Sequence, residues 1–130
     1  MLKMGKEIKI VEIRKASDQE WDETYNSCSY ATFFHSRKWA QIWQEYTSGN
    51  FTPNPIQITF SDGYSAILCI TKQKLLKFFA TRYILSPAGT YGGWISHSPL
   101  TVHHSTLLLG YLLKTSDSLT FRTNPFDPSF

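Results

Sequence analysis

Residues 56–71, IQITFSDGYSAILCIT, constrain the fold more than any other stretch of the chain. Two β-prone runs, Ile56 to Phe60 and Tyr64 to Thr71, flank Ser61-Asp62-Gly63. An Asp-Gly pair between such runs favours a tight hairpin, because glycine takes a positive φ at no steric cost. The second run is apolar at consecutive rather than alternate positions. It therefore predicts a central strand covered on both faces.

The remaining elements fit around that hairpin. EIKIVEIR, with Ile8, Ile10 and Val11, suits a first strand. Ser17-Asp18-Gln19-Glu20 has capping-box spacing, and Trp21, Tyr25 and Cys28 then share one face of a short helix. Tyr30 to Phe34 reads as a brief extended link. Ser36 caps a second helix in which Trp39, Ile42, Trp43 and Tyr46 share a face, and Gly49-Asn50 ends it. Pro53-Asn54-Pro55 keeps the next connection extended. Lys72 to Arg82 is a basic, aromatic connection, and Tyr83-Ile84-Leu85 resumes a strand. Ser98-Pro99 predicts the start of a third helix with Leu100, His104, Leu107, Leu108, Tyr111 and Leu112 on its apolar side. Ser118 to Thr123 alternates as a last strand.

The predicted order is β-α-α-β-β-β-α-β: an α/β (α+β) fold with a mostly antiparallel central sheet and helices packed on it. Residues 1–130 read as a single domain, large enough for a real core. A sheet ending after its last strand would leave an edge that proteins usually cover. The expectation is that the chain is the front part of a longer protein.

Composition narrows the function classes. Nine Phe, seven Tyr and four Trp exceed what a small core needs, so some aromatics are expected in a groove or interface. A net charge of +3 admits an anionic ligand but by itself does not argue for nucleic acid. Cys28 and Cys69 lie far apart without CxxC spacing, which implies neither a zinc site nor a disulfide framework and fits a reducing cytoplasm. The first residues lack an apolar signal core, and no apolar run approaches membrane-spanning length.

Three stretches in order, ATFFHSRKWAQIW, ITFSDGYSAILCITKQ and ILSPAGTYGGWIS, resemble the N-terminal lobe of FemAB-like proteins, within the GNAT-like acyltransferase superfamily. The resemblance covers roughly residues 8–125 as a layout. It implies a GNAT-like lobe of an N-acyltransferase that moves an acyl or aminoacyl group onto an amine, with cell-wall or surface-polysaccharide metabolism as the setting. Acyl-CoA or aminoacyl-tRNA would be the donor, and a small-molecule or glycopeptide amine the acceptor. It also implies that the cofactor-binding part lies in sequence beyond Phe130. Peptidoglycan-building members tend to carry Gln where His35 stands and Lys where Trp43 stands, which favours the FemAB-like acetyltransferase relatives. In SPAGTYGGWIS no helix follows the glycines, so the segment does not read as a phosphate loop. No cofactor is expected on these residues themselves.

The substrate-binding candidates are His35, Trp39, Tyr91, Gly92 and Gly93, lining an acceptor groove. His35, just before a helix cap, is weighed against a histidine that only fixes the helix start. Arg37 and Lys38 sit where the helix dipole disfavours cations, so either a bound anion or plain solvation must offset them. Trp39 and Trp43 on one face are explained by core packing without a ligand. Lys72, Lys74, Lys77 and Arg82 among Phe78, Phe79 and Tyr83 have the composition of a nucleic-acid surface, with tRNA as the partner, but equally of lysines guarding a sheet edge. His103 and His104 point about 100° apart on a helix and cannot jointly hold a metal, and His104 reads as a core histidine. No metal site and no catalytic residue is assigned. The competing reading is a non-catalytic module binding a glycan, peptide or RNA through its aromatics, with self-association a further expectation from the open edge.

Overall fold

A computed structural model of the chain describes residues 7–75, 80–84, 93–115 and 119–120. Its elements run β1 (Ile10–Lys15), α1 (Asp18–Ser27), a 3-10 turn (Phe33–His35), α2 (Arg37–Tyr46), β2 (Phe51–Pro53), β3 (Ile56–Phe60), β4 (Ser65–Leu68), β5 (Thr71–Leu75), β6 (Ala80–Ile84), β7 (Trp94–Ile95), α3 (Val102–Thr115) and β8 (Leu119–Thr120). The fold is α+β, as expected. The expected single central sheet is instead two four-stranded sheets, ordered β1-β3-β4-β7 and β2-β5-β6-β8.

The split has a local cause. The predicted strand from Tyr64 to Thr71 breaks at Cys69-Ile70, where the Ile70 amide turns back to donate to the Leu68 carbonyl at 2.9 Å. The chain before the break pairs with β3 and β7, and the chain after it with β2 and β6. Every described pairing is antiparallel except β6 with β8, which run parallel. Two other expectations also change. Phe33–His35 coils into a 3-10 turn instead of staying extended. The third helix begins at Val102, not at Ser98-Pro99, because Thr101 takes the cap: its hydroxyl accepts from the His104 amide at 3.4 Å.

Register explains how the first sheet is buried. Residues directly opposite in an antiparallel ladder share a face. The pairs Ile58–Ala66, Ile56–Leu68 and Leu68–Trp94 put one face under Leu100, Leu108 and Leu112 of the α3 region. Ile67 opposite Ile95 faces the other way, onto Trp21 of α1 and Ala40 of α2. β4 is thus covered on both sides, as its unbroken apolar run predicts. The hairpin turns at Gly63 with φ +90°, the conformation for which an Asp-Gly turn selects glycine.

Candidate functional site

The α2 region places most of the predicted site residues. Ser36 caps the helix, its hydroxyl accepting from the Trp39 amide at 3.2 Å. Arg37 in the first turn finds its counter-charge on α1. Its Nε and an Nη donate to Asp22 of α1 at 3.1 and 2.8 Å, and Asp18 lies 3.6 Å away. The neighbouring helix supplies the negative charge that the dipole requires at this end. Lys38 is exposed.

Trp39 and Trp43 belong to neither core cluster, which corrects the packing expectation for this pair. Both are half-buried in a run of aromatic rings along one side of α2. Phe33 and Phe34 meet Trp39 at centroid distances of 5.8 and 5.2 Å, Trp39 meets Trp43 edge-on at 5.8 Å, and Trp43 contacts Tyr46 at 5.5 Å and stacks on Phe51 at 5.8 Å. The outer members stay in solvent: Tyr46 is 79% and Phe33 49% exposed. Ile42 on the same helix is also exposed. The indole N–H groups of Trp39 and Trp43 are shielded from solvent and have no hydrogen-bond acceptor among the described residues. The opposite side of α2 borders a polar groove of about 270 Å3, lined by Lys15, Asp18, Arg37, Gln41, Gln44 and Thr52 among others.

His35 and Gly93, both predicted for the acceptor groove, are linked through Cys69. The Cys69 amide donates to the Gly93 carbonyl at 3.2 Å, and its thiol donates to the His35 carbonyl at 3.6 Å. The Trp21 indole also donates to the His35 carbonyl, at 2.9 Å. The His35 ring is fully buried and its Nδ1 accepts the Thr32 amide at 3.0 Å, so its side chain ties down the turn before α2. Burial pushes the Cys69 thiol up to about 12, which leaves it an inert thiol and not a nucleophile. Gly93 has φ +109°, where any side chain would be strained. Trp39 stands one turn into the helix that follows His35. Tyr91, Gly92 and Lys77 lie outside the described residues.

A second histidine, His104, is built like the first. It is 1% exposed, and its Nδ1 accepts the Thr101 amide at 3.0 Å. An acceptor at Nδ1 leaves the proton on Nε2, which donates to Asp62 at 2.8 Å. Both nitrogens are engaged within the fold, so His104 is the core histidine its apolar helix face predicts. Burial raises the Asp62 carboxyl, but the Tyr64 amide and His104 outweigh it and hold the group below the usual range. A carboxyl depressed in the folded state stabilises above its unfolded pKa, and that contribution is lost as pH falls through the folded value. Asp62→Asn is therefore expected to lower the melting temperature at pH 7, with the gap to wild type closing below pH ~4. A gap that stays constant down to pH ~2 would show that the carboxylate charge contributes nothing.

Among the polar contacts that sequence reasoning missed is that of His97 at the end of α1. Its Nδ1 lies 2.5 Å from the Ser27 hydroxyl and its Nε2 3.4 Å from that of Thr24. The pair holds the chain after β7 against α1, and no carboxylate completes it among the described residues. The basic segment also differs from expectation. β5 carries Lys72 and Lys74 but is no edge, because β2 flanks it and the Lys74 amide donates to the Asn50 carbonyl at 2.9 Å. Arg82 spends its guanidinium on Gln73 across the β5–β6 ladder. Among the described residues, no cluster of three or more His, Cys, Asp or Glu could hold a metal ion, and no helix is long and apolar enough to cross a membrane.

Compared with protein-family models, with curated proteins and with solved structures, the chain matches none.

Proposed function

We propose that this chain is the acceptor-side lobe of a FemAB-like N-acyltransferase of the cytoplasm, holding an amine-bearing small molecule or glycopeptide on the aromatic side of α2. The donor in this reading is acyl-CoA or aminoacyl-tRNA. One observation carries it: Trp39 and Trp43 stand outside both core clusters in a run of rings whose ends, Phe33 and Tyr46, are exposed. Covering such rings releases water from apolar surface, which favours a ligand that lays an apolar face of its sugar or peptide on them. His35 and Gly93 act in this reading as the frame that fixes where α2 begins. Trp39→Ala is expected to weaken acceptor binding roughly 10-fold or more, the effect of losing an aromatic anchor. The measurement is a tryptophan-fluorescence titration with an amine-bearing muramyl peptide. Unchanged affinity in the variant, or no binding by the wild type, would overturn the reading.

The second reading is a recognition module without catalysis, binding a glycan, peptide or RNA through the same rings. It is favoured by the engagement of both His104 nitrogens and by the burial of Cys69 and His35. Incubation with the bound acceptor and either donor distinguishes the two. An acylated amine selects the transferase, and binding without product selects the module.

A further inference from the structure

β1 forms one margin of the first sheet, and no described strand lies beyond it. Its side chains stand in solvent there, Val11 at 58% and Ile13 at 45% exposure. Unpaired edges are usually blunted by charge or by a bulge. β1 has both, with a register shift between Ile10 and Glu12 and three charged residues in Glu12–Lys15. The charges are of both signs, however, and that changes what they do. A run of lysines repels a second copy of itself. Glu12-Ile13-Arg14 is complementary to its own reverse.

We propose that this edge pairs antiparallel with the β1 edge of a second copy of the chain, joining the two sheets across a two-fold axis opposite Ile13. Residues directly opposite must share a face, so the axis must fall opposite a residue and its choices are few. An axis at Glu12 sets Glu12 against Glu12, one at Arg14 sets Arg14 against Arg14, and one at Lys15 sets Lys15 against Lys15. Each of these puts like charges in direct opposition. An axis at Val11 falls on the bulge. With the axis at Ile13, each Glu12 faces the second copy's Arg14 and the two Ile13 side chains meet. Arg14 is already aimed on that face, because it forms a two-pronged pair with Glu20 of α1. Such a contact is isologous and closes at two copies instead of propagating.

Analytical ultracentrifugation of the 130-residue chain tests this. The mass is expected to rise with concentration from 15.0 kDa toward twice that value. Glu12→Lys and Ile13→Lys each place like charges across the axis and are expected to weaken the dimer roughly 10-fold or more. Arg14→Glu does the same, with circular dichroism checking that losing the Glu20 pair leaves it folded. An equimolar mixture of Glu12→Lys and Arg14→Glu restores the complementary pairs, so it is expected to form heterodimers where each variant alone stays monomeric. Wild type that remains at one chain's mass at all concentrations overturns the proposal. So does a dimer indifferent to Glu12→Lys and Ile13→Lys, which would place the interface elsewhere, on the aromatic side of α2 first of all.

Discussion

Trp21→Ala is expected to cost about 3–5 kcal/mol of unfolding free energy, the range for deleting a large buried aromatic. Trp21 is 2% exposed and fills the space between α1 and the Ile67–Ile95 face of the first sheet. Alanine leaves a cavity that several rigid elements border, so collapse around it is limited. The substitution also takes the indole N–H from the His35 carbonyl, whose other described contact is the Cys69 thiol at 3.6 Å. Trp21→Phe largely separates the two effects: it keeps most of the buried area, removes the hydrogen bond with a small loss of volume, and is expected to cost about 1–3 kcal/mol. Urea denaturation of the three proteins reads both numbers. An alanine variant within about 1 kcal/mol of wild type would mean that α1 does not anchor the sheet. Since small domains hold about 5–15 kcal/mol in all, the alanine variant is expected to sit near the edge of foldability.

The prediction bears on function because the carbonyl that Trp21 holds belongs to the turn that starts α2. Loosening it would shift Trp39 and Trp43 together. An acceptor titration on Trp21→Phe, which is expected to fold, should therefore show weaker binding even though Trp21 lies on the far side of the helix start.

What was legible in the sequence follows from how local the signal was. Ser17 and Glu20 form the predicted capping box, with the Glu20 amide donating to the Ser17 hydroxyl at 3.1 Å and the Ser17 amide to the Glu20 carboxylate at 2.9 Å. The Asp62-Gly63 turn and the Ser36 cap are equally local, and each lies where its residues predict. The bend at Cys69-Ile70 was not legible, because an apolar run looks the same whether one sheet or two receive it. Arg37 was read against solvent and ligands, while its partner Asp22 is fifteen residues away on another helix. A helix start was expected at Ser98-Pro99 because serine and proline favour one, yet Thr101 holds the cap.

One signal was available and overlooked. Thr32-Phe-Phe-His35 and Thr101-Val-His-His104 share the spacing of a capping box, with histidine in the place of glutamate or glutamine. In both, the Nδ1 of the histidine accepts the threonine amide at 3.0 Å. A Thr-x-x-His before an apolar run can therefore be read as a helix-start device that buries its imidazole. On that rule His35 was readable as a framing residue, and the aromatic residues downstream of it as the surface that it positions.

His104 gives the second large effect, and here the polar and apolar contributions can be measured apart. His104→Ala is expected to destabilise the fold by about 3–5 kcal/mol. The ring sits between Phe60, at 4.6 Å, and Tyr64, stacked at 5.0 Å, so alanine opens a cavity against the hairpin. It also leaves the Thr101 amide without its acceptor and the Asp62 Oδ2 without its donor, while Oδ1 keeps the Tyr64 amide. His104→Leu refills most of the volume but restores neither bond, and is expected to recover only part of the loss. The remainder divides further. In a double-mutant cycle with Asp62→Asn, the coupling reports the His104–Asp62 interaction, expected at about 1.5–3 kcal/mol for a hydrogen bond to a carboxylate. What persists in His104→Leu beyond that coupling is shared by the orphaned Thr101 groups and the lost ring contacts with Phe60 and Tyr64. A leucine variant as stable as wild type would show that α3 is held to the hairpin by packing alone. The twin design at Thr32 and His35 would then be a matter of helix start and not of stability.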